Sequence, residues 1–146
     1  MALELERLAN HVGDMGALAN DVGFLPTASF CGRIRGDFLN MTALLCGSRF
    51  GRGLVRPGGV AFDLDARLID TLQAGLSQAE RDLKGPLKLF FETESVRSRM
   101  EGTGVLSGTA CQDLGIVGLV ARASGLRRDC RANHPWGWYS DHPVAT

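Results

Sequence analysis

The stretch ALELERLANHVGDMGALANDV, residues 2–22, decides the fold. Leu5, Leu8, Ala9, Val12, Met15, Gly16, Ala19 and Val22 recur at steps of three and four. That spacing gathers side chains on one face of an α-helix of five or six turns. Gly23 and Pro26 stand where such a helix must end. The pattern starts directly after Met1-Ala2 with no N-capping residue. A helix entered so abruptly leads us to expect that the natural chain starts earlier.

Working outward, Ser29 or Gly32 to Cys46 reads as a second helix with Ile34, Phe38, Met41 and Leu45 as its apolar seam. Gly47 is placed to stop it. Residues 47–60, GSRFGRGLVRPGGV, hold five glycines and Pro57, which excludes helix. Leu54-Val55 suits a short strand, and Pro57-Gly58 suits the central pair of a type II turn. Asp63 or Asp65 can cap a third helix. Leu68, Ile69, Leu72, Leu76, Ala79 and Leu83 carry it to Lys84, where Gly85-Pro86 is expected to break or kink it. Leu87, Leu89, Phe90 and Phe91 resume an apolar helical stretch. From Ser95 the texture changes: VRSRMEGTGVLS looks extended, and Ser107 can cap a short helix through Leu114. The tail from Arg127 holds both tryptophans and the only tyrosine, and reads as an irregular segment packed on something. The expected fold class is therefore mainly α, a long-helix bundle with glycine-rich loops and a few short strands. Residues 1–94 supply three long helices with a Gly/Arg loop at 47–62, and residues 95–146 an irregular segment with short helices.

Composition narrows the function. The 146 residues carry 16 basic and 16 acidic side chains, so the formal net charge is zero. Nucleic acid and anionic lipid are poor electrostatic matches to such a chain. The hydrophobic share of 45% is enough for a core, and no apolar run approaches the ~20 residues needed to span a bilayer. The start shows no basic n-region or apolar h-region, so no signal peptide is visible. Cys31, Cys46, Cys111 and Cys130 are never spaced as CxxC, and no Cys/His set has zinc-finger spacing. We therefore expect reduced thiols in the cytoplasm.

Several constellations bear on chemistry. On the first helix Glu4, Arg7, His11, Asp14, Leu18 and Asp21 follow steps of three and four and share a stripe. A carboxylate three residues from a histidine can pair with it and raise its pKa. Such a stripe could conduct protons, line a polar cavity or be a solvated face. The loop bearing Arg49, Arg52 and Arg56 lacks GxxxxGK[ST] and reads as a turn-rich connector. No GxSxG is present, and the three histidines are far apart. Cys130, His134, Asp141 and His142 match no familiar metal site. Arg122, Arg127, Arg128 and Arg131 suit internal pairing. Fourteen of the 16 basic residues are arginine, which favours fixed, partly buried ion pairs.

Three blocks in order carry a resemblance: ELERLANHVGDMGALANDVGF (4–24), CGSRFGRGLVRPGGV (46–60) and EGTGVLSGTACQDLGIVGLVARASGLRRDCRANHPWGWY (101–139). Together they resemble the middle of a [NiFe]-hydrogenase large subunit of the energy-converting type found in formate hydrogenlyase. They are similar as well to the homologous 49-kDa (D) subunit of NADH:quinone oxidoreductase, complex I. The resemblance implies a mainly helical fold and a role in electron transfer coupled to proton movement. It implies a small iron–sulfur subunit and membrane subunits as partners. The implied place is the cytoplasm, peripheral to the inner face of the membrane.

In the hydrogenases two CxxC pairs hold the nickel–iron centre, one before and one after the matched region. Neither pair is present, so no cofactor is expected within these residues, though a nickel–iron centre could belong to a longer parent. Alone the chain is expected to be inactive, either as a hydrogenase piece or as a nickel-free quinone-reductase or scaffold relative. Asp21, in NDVGF, stands where quinone-reducing relatives have the acid of LDIGA. His11 matches the NH of the same helix. Arg49 and Arg56 match the R…RPGG block, and Arg122 matches an arginine before SG. With Asp14 these are the candidate cavity-lining residues. Where the complex I type usually has histidine this chain has Gly51, which leans toward the hydrogenase branch. Apolar faces made for flanking helices lead us to expect a homo-oligomer.

Overall fold

A computed structural model describes residues 1–144. Along them run α1 (Ala2–Asp21), α2 (Leu25–Cys46), β1 (Val55–Arg56), β2 (Gly59–Val60), α3 (Ala66–Glu92), α4 (Glu94–Met100), α5 (Gly108–Asp113), α6 (Gly118–Ala123), α7 (Cys130–Asn133) and α8 (Trp138–Asp141). The fold is mainly helical, as the periodicity requires, with two two-residue strands. The backbone divides into two compact units, one covering Met1–Glu101 and one beginning at Gly102.

In the first unit α2 is the central helix, packed on α1 and on α3. Leu5, Ala9 and Val12 of α1 meet Cys31, Ile34, Phe38 and Leu45 of α2, with Leu72 and Ala79 of α3 closing the same core. The α1–α2 turn is a Schellman motif: the Phe24 amide donates to the Ala19 carbonyl at 2.7 Å and the Gly23 amide to the Asn20 carbonyl at 2.9 Å. Gly23 takes φ 75° there, a conformation that costs other residues about 1 kcal/mol or more. α2 begins at Leu25, four residues before the earliest expected start. Pro26 falls in its first turn, where a missing N–H removes no helical bond. Glycine also sets the helix spacing. A Cβ on Gly16 would stand 3.0 Å from the Cβ of Cys31.

The third helix does not break. α3 runs through Pro86 to Glu92, capped at Asp65, whose side chain accepts from the Leu68 amide. Proline inside a helix costs about 3 kcal/mol, and two contacts offset it. The Thr27 hydroxyl donates to the Pro86 carbonyl at 3.0 Å, and Phe90 beyond the proline is fully buried with Ala19 and Val96. Val96–Met100, expected extended, is helical as α4. Val96 is the anchor of that helix, and Arg97 and Arg99 occupy its last turn, where cations complement the helix dipole. In the loop, β1 and β2 form the hairpin drawn by Pro57-Gly58, with Val55 opposite Val60 and Gly58 at φ 90°, as a type II turn demands.

Arg33 ties α2 to α3. Its guanidinium bonds Asp37 at 2.9 Å and also Asp82. The Arg33 guanidinium, helped by the Gln78 amide, holds the Asp82 carboxyl below the usual carboxylate range. A carboxyl depressed in the folded state stabilises above its unfolded value of ~3.9. That contribution is lost as pH falls through the folded value. Asp82→Asn should therefore lower stability at neutral pH, with the gap to the wild-type chain closing as pH falls below the unfolded carboxylate value of ~3.9. Urea melts across that range check it.

In the second unit α5 is capped by Ser107, which accepts from the Ala110 amide. Asp129 is buried and knots the start of α7, accepting from Arg131 at its amide and its guanidinium. The tryptophans expected to pack are largely exposed, Trp136 at 87% and Trp138 at 67%. Trp138 does stack on His142 with 3.6 Å between ring centroids. The expected tail continues to Thr146, and its last two residues lie outside the described ones.

Candidate functional site

A groove of about 330 Å³ opens where the start of α1, the middle of α2 and the Gly/Arg loop meet. Its floor is apolar: Ala9, Leu39 and Leu54 line it, and all three are buried. Phe50 and Val55 form an exposed apolar wall on the loop side. The polar groups on its lining are Glu6 and Asn10 from α1, Arg35 and Thr42 from α2, and Arg49 from the loop. Thr42 is spoken for, donating to the Phe38 carbonyl at 3.3 Å.

The two arginines reach the groove across glycines. A Cβ on Gly13 of α1 would sit 2.9 Å from Cδ and 3.0 Å from Nε of Arg35. The missing side chain is what lets the Arg35 stem cross α1. A Cβ on Gly36 of α2 would lie 3.6 Å from Nη2 of Arg49. Arg49 follows Gly47, a left-handed cap at φ 74° that turns the chain off α2.

The residues named from sequence are not brought together as one set. Arg49 lines the groove, and His11, Asp14, Asp21 and Arg56 do not. His11 is half-buried on α1, and Asp14 and Asp21 are exposed. Among the described residues no ion pair or hydrogen bond links His11 to Asp14. Arg56 turns back on its own hairpin, donating from Nε to the Gly53 carbonyl at 3.2 Å. Arg122 belongs to the second unit, half-buried, and donates to the Arg128 carbonyl at 3.3 Å. Sequence reasoning missed Arg35, which sits in the helical pattern of α2 like any solvated arginine. Its signal is Gly13 on the preceding helix, legible only once the α1–α2 register is known. It missed Arg99 too, whose guanidinium donates to the Val22 carbonyl at 2.8 Å. That places a cation at the C-terminal end of α1.

All four cysteines are free. Cys31 and Cys111 are buried, and burial pushes the Cys31 thiol up, away from the thiolate a metal needs. Among the described residues no group of three or more His, Cys, Asp or Glu could hold a metal ion. No described helix is long and apolar enough to cross a membrane.

Comparison with known proteins places this geometry in context. A family model for the respiratory-chain NADH dehydrogenase 49 Kd subunit matches residues 21–144. The D subunit of NADH-quinone oxidoreductase from Clostridium beijerinckii is 31% identical over 137 residues, covering 93% of this chain and 37% of that protein. Its counterpart from Deinococcus radiodurans is 32% identical over 139 residues, covering 95% and 35%. The counterpart from Mycobacterium tuberculosis is 30% identical over 143 residues, covering 97% and 32%. This chain thus spans about a third of the length of the curated relatives it matches. Among solved structures, a chain of the membrane-bound sulfane sulfur reductase, an archaeal respiratory membrane complex, superposes with a TM-score of 0.85 at 24% identity. It covers 95% of this chain and 38% of that one, and the likeness is one of fold.

Proposed function

The chain belongs to the family of the respiratory-chain NADH dehydrogenase 49 Kd subunit, and from that premise we propose that it forms part of a peripheral electron-transfer subunit in a membrane-associated respiratory assembly. The observation that carries this reading is the alignment itself: relatives run across more than nine-tenths of the chain, from α1 into the last short helices. The relatives' names favour a quinone as the electron acceptor. In this reading the stripe His11, Asp14 and Asp21 handles protons, because reducing a quinone consumes two protons with two electrons. Half-buried His11 supplies an imidazole able to relay a proton. Arg99, donating to the Val22 carbonyl, fixes the end of that helix.

A second reading, the hydrogenase type, is favoured by Gly51, which stands where the complex I type usually has histidine. A nickel–iron centre does not fit the cysteines present. It requires four thiolates in two CxxC pairs, and Cys31 is held neutral in the core. Any such centre would rest on residues other than these, and the work of this chain would be to shape the cavity around it.

The test uses the assembly purified from membranes through a tag on this chain. Two assays decide it: reduction of a short-chain quinone, and hydrogen-dependent reduction of a viologen dye. The first reading predicts quinone reduction that falls at least about tenfold in Asp21→Asn and His11→Gln, with assembly unchanged. The second predicts hydrogen-dependent dye reduction together with nickel. An intact assembly with neither activity would overturn both.

A further inference from the structure

Two arginines at one groove with no acid to answer them require an explanation. Among the described residues no carboxylate comes within 4.0 Å of the Arg35 or Arg49 guanidinium. Elsewhere in this unit Arg7, Arg33 and Arg97 find acids, and Arg52, Arg67 and Arg81, which have no ion pair among the described residues, stand exposed away from any such groove. Glu6 shares the groove but stays exposed and outside pairing distance. Arginine stays charged at neutral pH, so two guanidinia on one lining give the groove a positive field that suits an anion.

We propose that this groove is a seat for a small anionic amphiphile, a carboxylate head on an apolar body. Three features set the class. Arg35 and Arg49 supply the planar forks that bind carboxylates in pairs of hydrogen bonds. The floor of Ala9, Leu39 and Leu54, walled by Phe50, takes an apolar body. The volume of about 330 Å³ lies at the lower end of small-ligand pockets. A helix from another protein, ~10 Å across, would need a longer trough. Gly13 completes the seat as a positioning residue, since any side chain there would displace the Arg35 stem. This inference stands apart from the redox reading, because it concerns binding to the chain itself.

The probes are decanoate, decanol and decyltrimethylammonium, titrated into the full chain below their micelle-forming concentrations. Amide chemical shifts at Asn10, Gly51 and Leu54 report occupancy. Decanoate should bind saturably at one site, at least about tenfold more tightly than either other probe. Arg35→Gln and Arg49→Gln should each weaken it about tenfold or more, and Gly13→Ala should weaken it severalfold. Arg52→Gln, in the same loop but off the groove, should leave it unchanged. Arg49 is exposed, so its variant keeps the test alive if Arg35→Gln fails to fold. Equal binding of decanol and decanoate, equal loss in Arg52→Gln, or no saturable shifts would overturn the proposal.

Discussion

Phe90→Ala should cost about 3–5 kcal/mol of folding stability. Phe90 is fully buried at the centre of the smaller core, with Ala19 of α1 and Val96 of α4. Its ring lies 6.0 Å from Phe24 at 55° and 5.4 Å from Phe91 edge-on. Such pairs add to the burial itself. The position matters as much as the area. Phe90 is the anchor for the part of α3 beyond Pro86, where the helix has already lost a backbone bond. Its removal should release α4 and the last turns of α3 first, while the Asp65-capped start stays docked through Leu72. A loss of that size is a large share of the ~5–15 kcal/mol that holds a domain folded. It should lower Tm by about 10 °C or more. Phe91→Ala, at a position 56% exposed, should cost no more than about 1 kcal/mol. Equal losses at the two positions would contradict this packing.

Gly16→Val should cost about 3 kcal/mol, and its sign against helix propensity is the informative part. Valine would normally be favoured over glycine within a helix by a few tenths of a kcal/mol. Here the added Cβ would meet the Cβ of Cys31 at 3.0 Å and the Ala28 carbonyl at 3.5 Å. Both atoms belong to the α2 backbone or its first side-chain carbon, so neither can swing aside. The two helices must separate, which opens the seam of Val12, Cys31 and Ile34. Overpacking of this kind costs about 1–3 kcal/mol, and the branch in valine puts the effect at the upper end. Gly32 is the control. It is on the same helix as Cys31 with nothing within 4 Å of an added Cβ, so Gly32→Ala should stabilise by about 1 kcal/mol. Urea melts of the two variants read both effects.

The long helices were legible because their cores are built by simple periodicity. Leu5, Ala9 and Val12 repeat on one face, and that face is the buried one. The hairpin was legible because Pro57-Gly58 admits few turns. What sequence could not show was tertiary. The helix through Pro86 persists because Thr27, far away in sequence, supplies a hydroxyl and Phe90 supplies an anchor. α4 forms because Val96 has a socket between α1 and α3. Short helices of the second unit carry too few turns to display a period.

The site divides the same way. The family blocks marked Arg49, which does line the groove, and they named the acid at the end of α1. They gave no hint of Arg35 or Arg99, because each acts through contact with a different helix. Glycines 13 and 36 are the gaps across which Arg35 and Arg49 reach.

The measurement closest to the central claim is where the chain resides in its own cells. Membranes sedimented from lysed cells, and then washed at high pH, separate integral, peripheral and free proteins. Native gels size what each wash releases. The account predicts that the chain sediments with membranes in an assembly many times its own 15.7 kDa and is released by the wash without detergent. A chain found only in the supernatant, at the size of a free monomer, would contradict it.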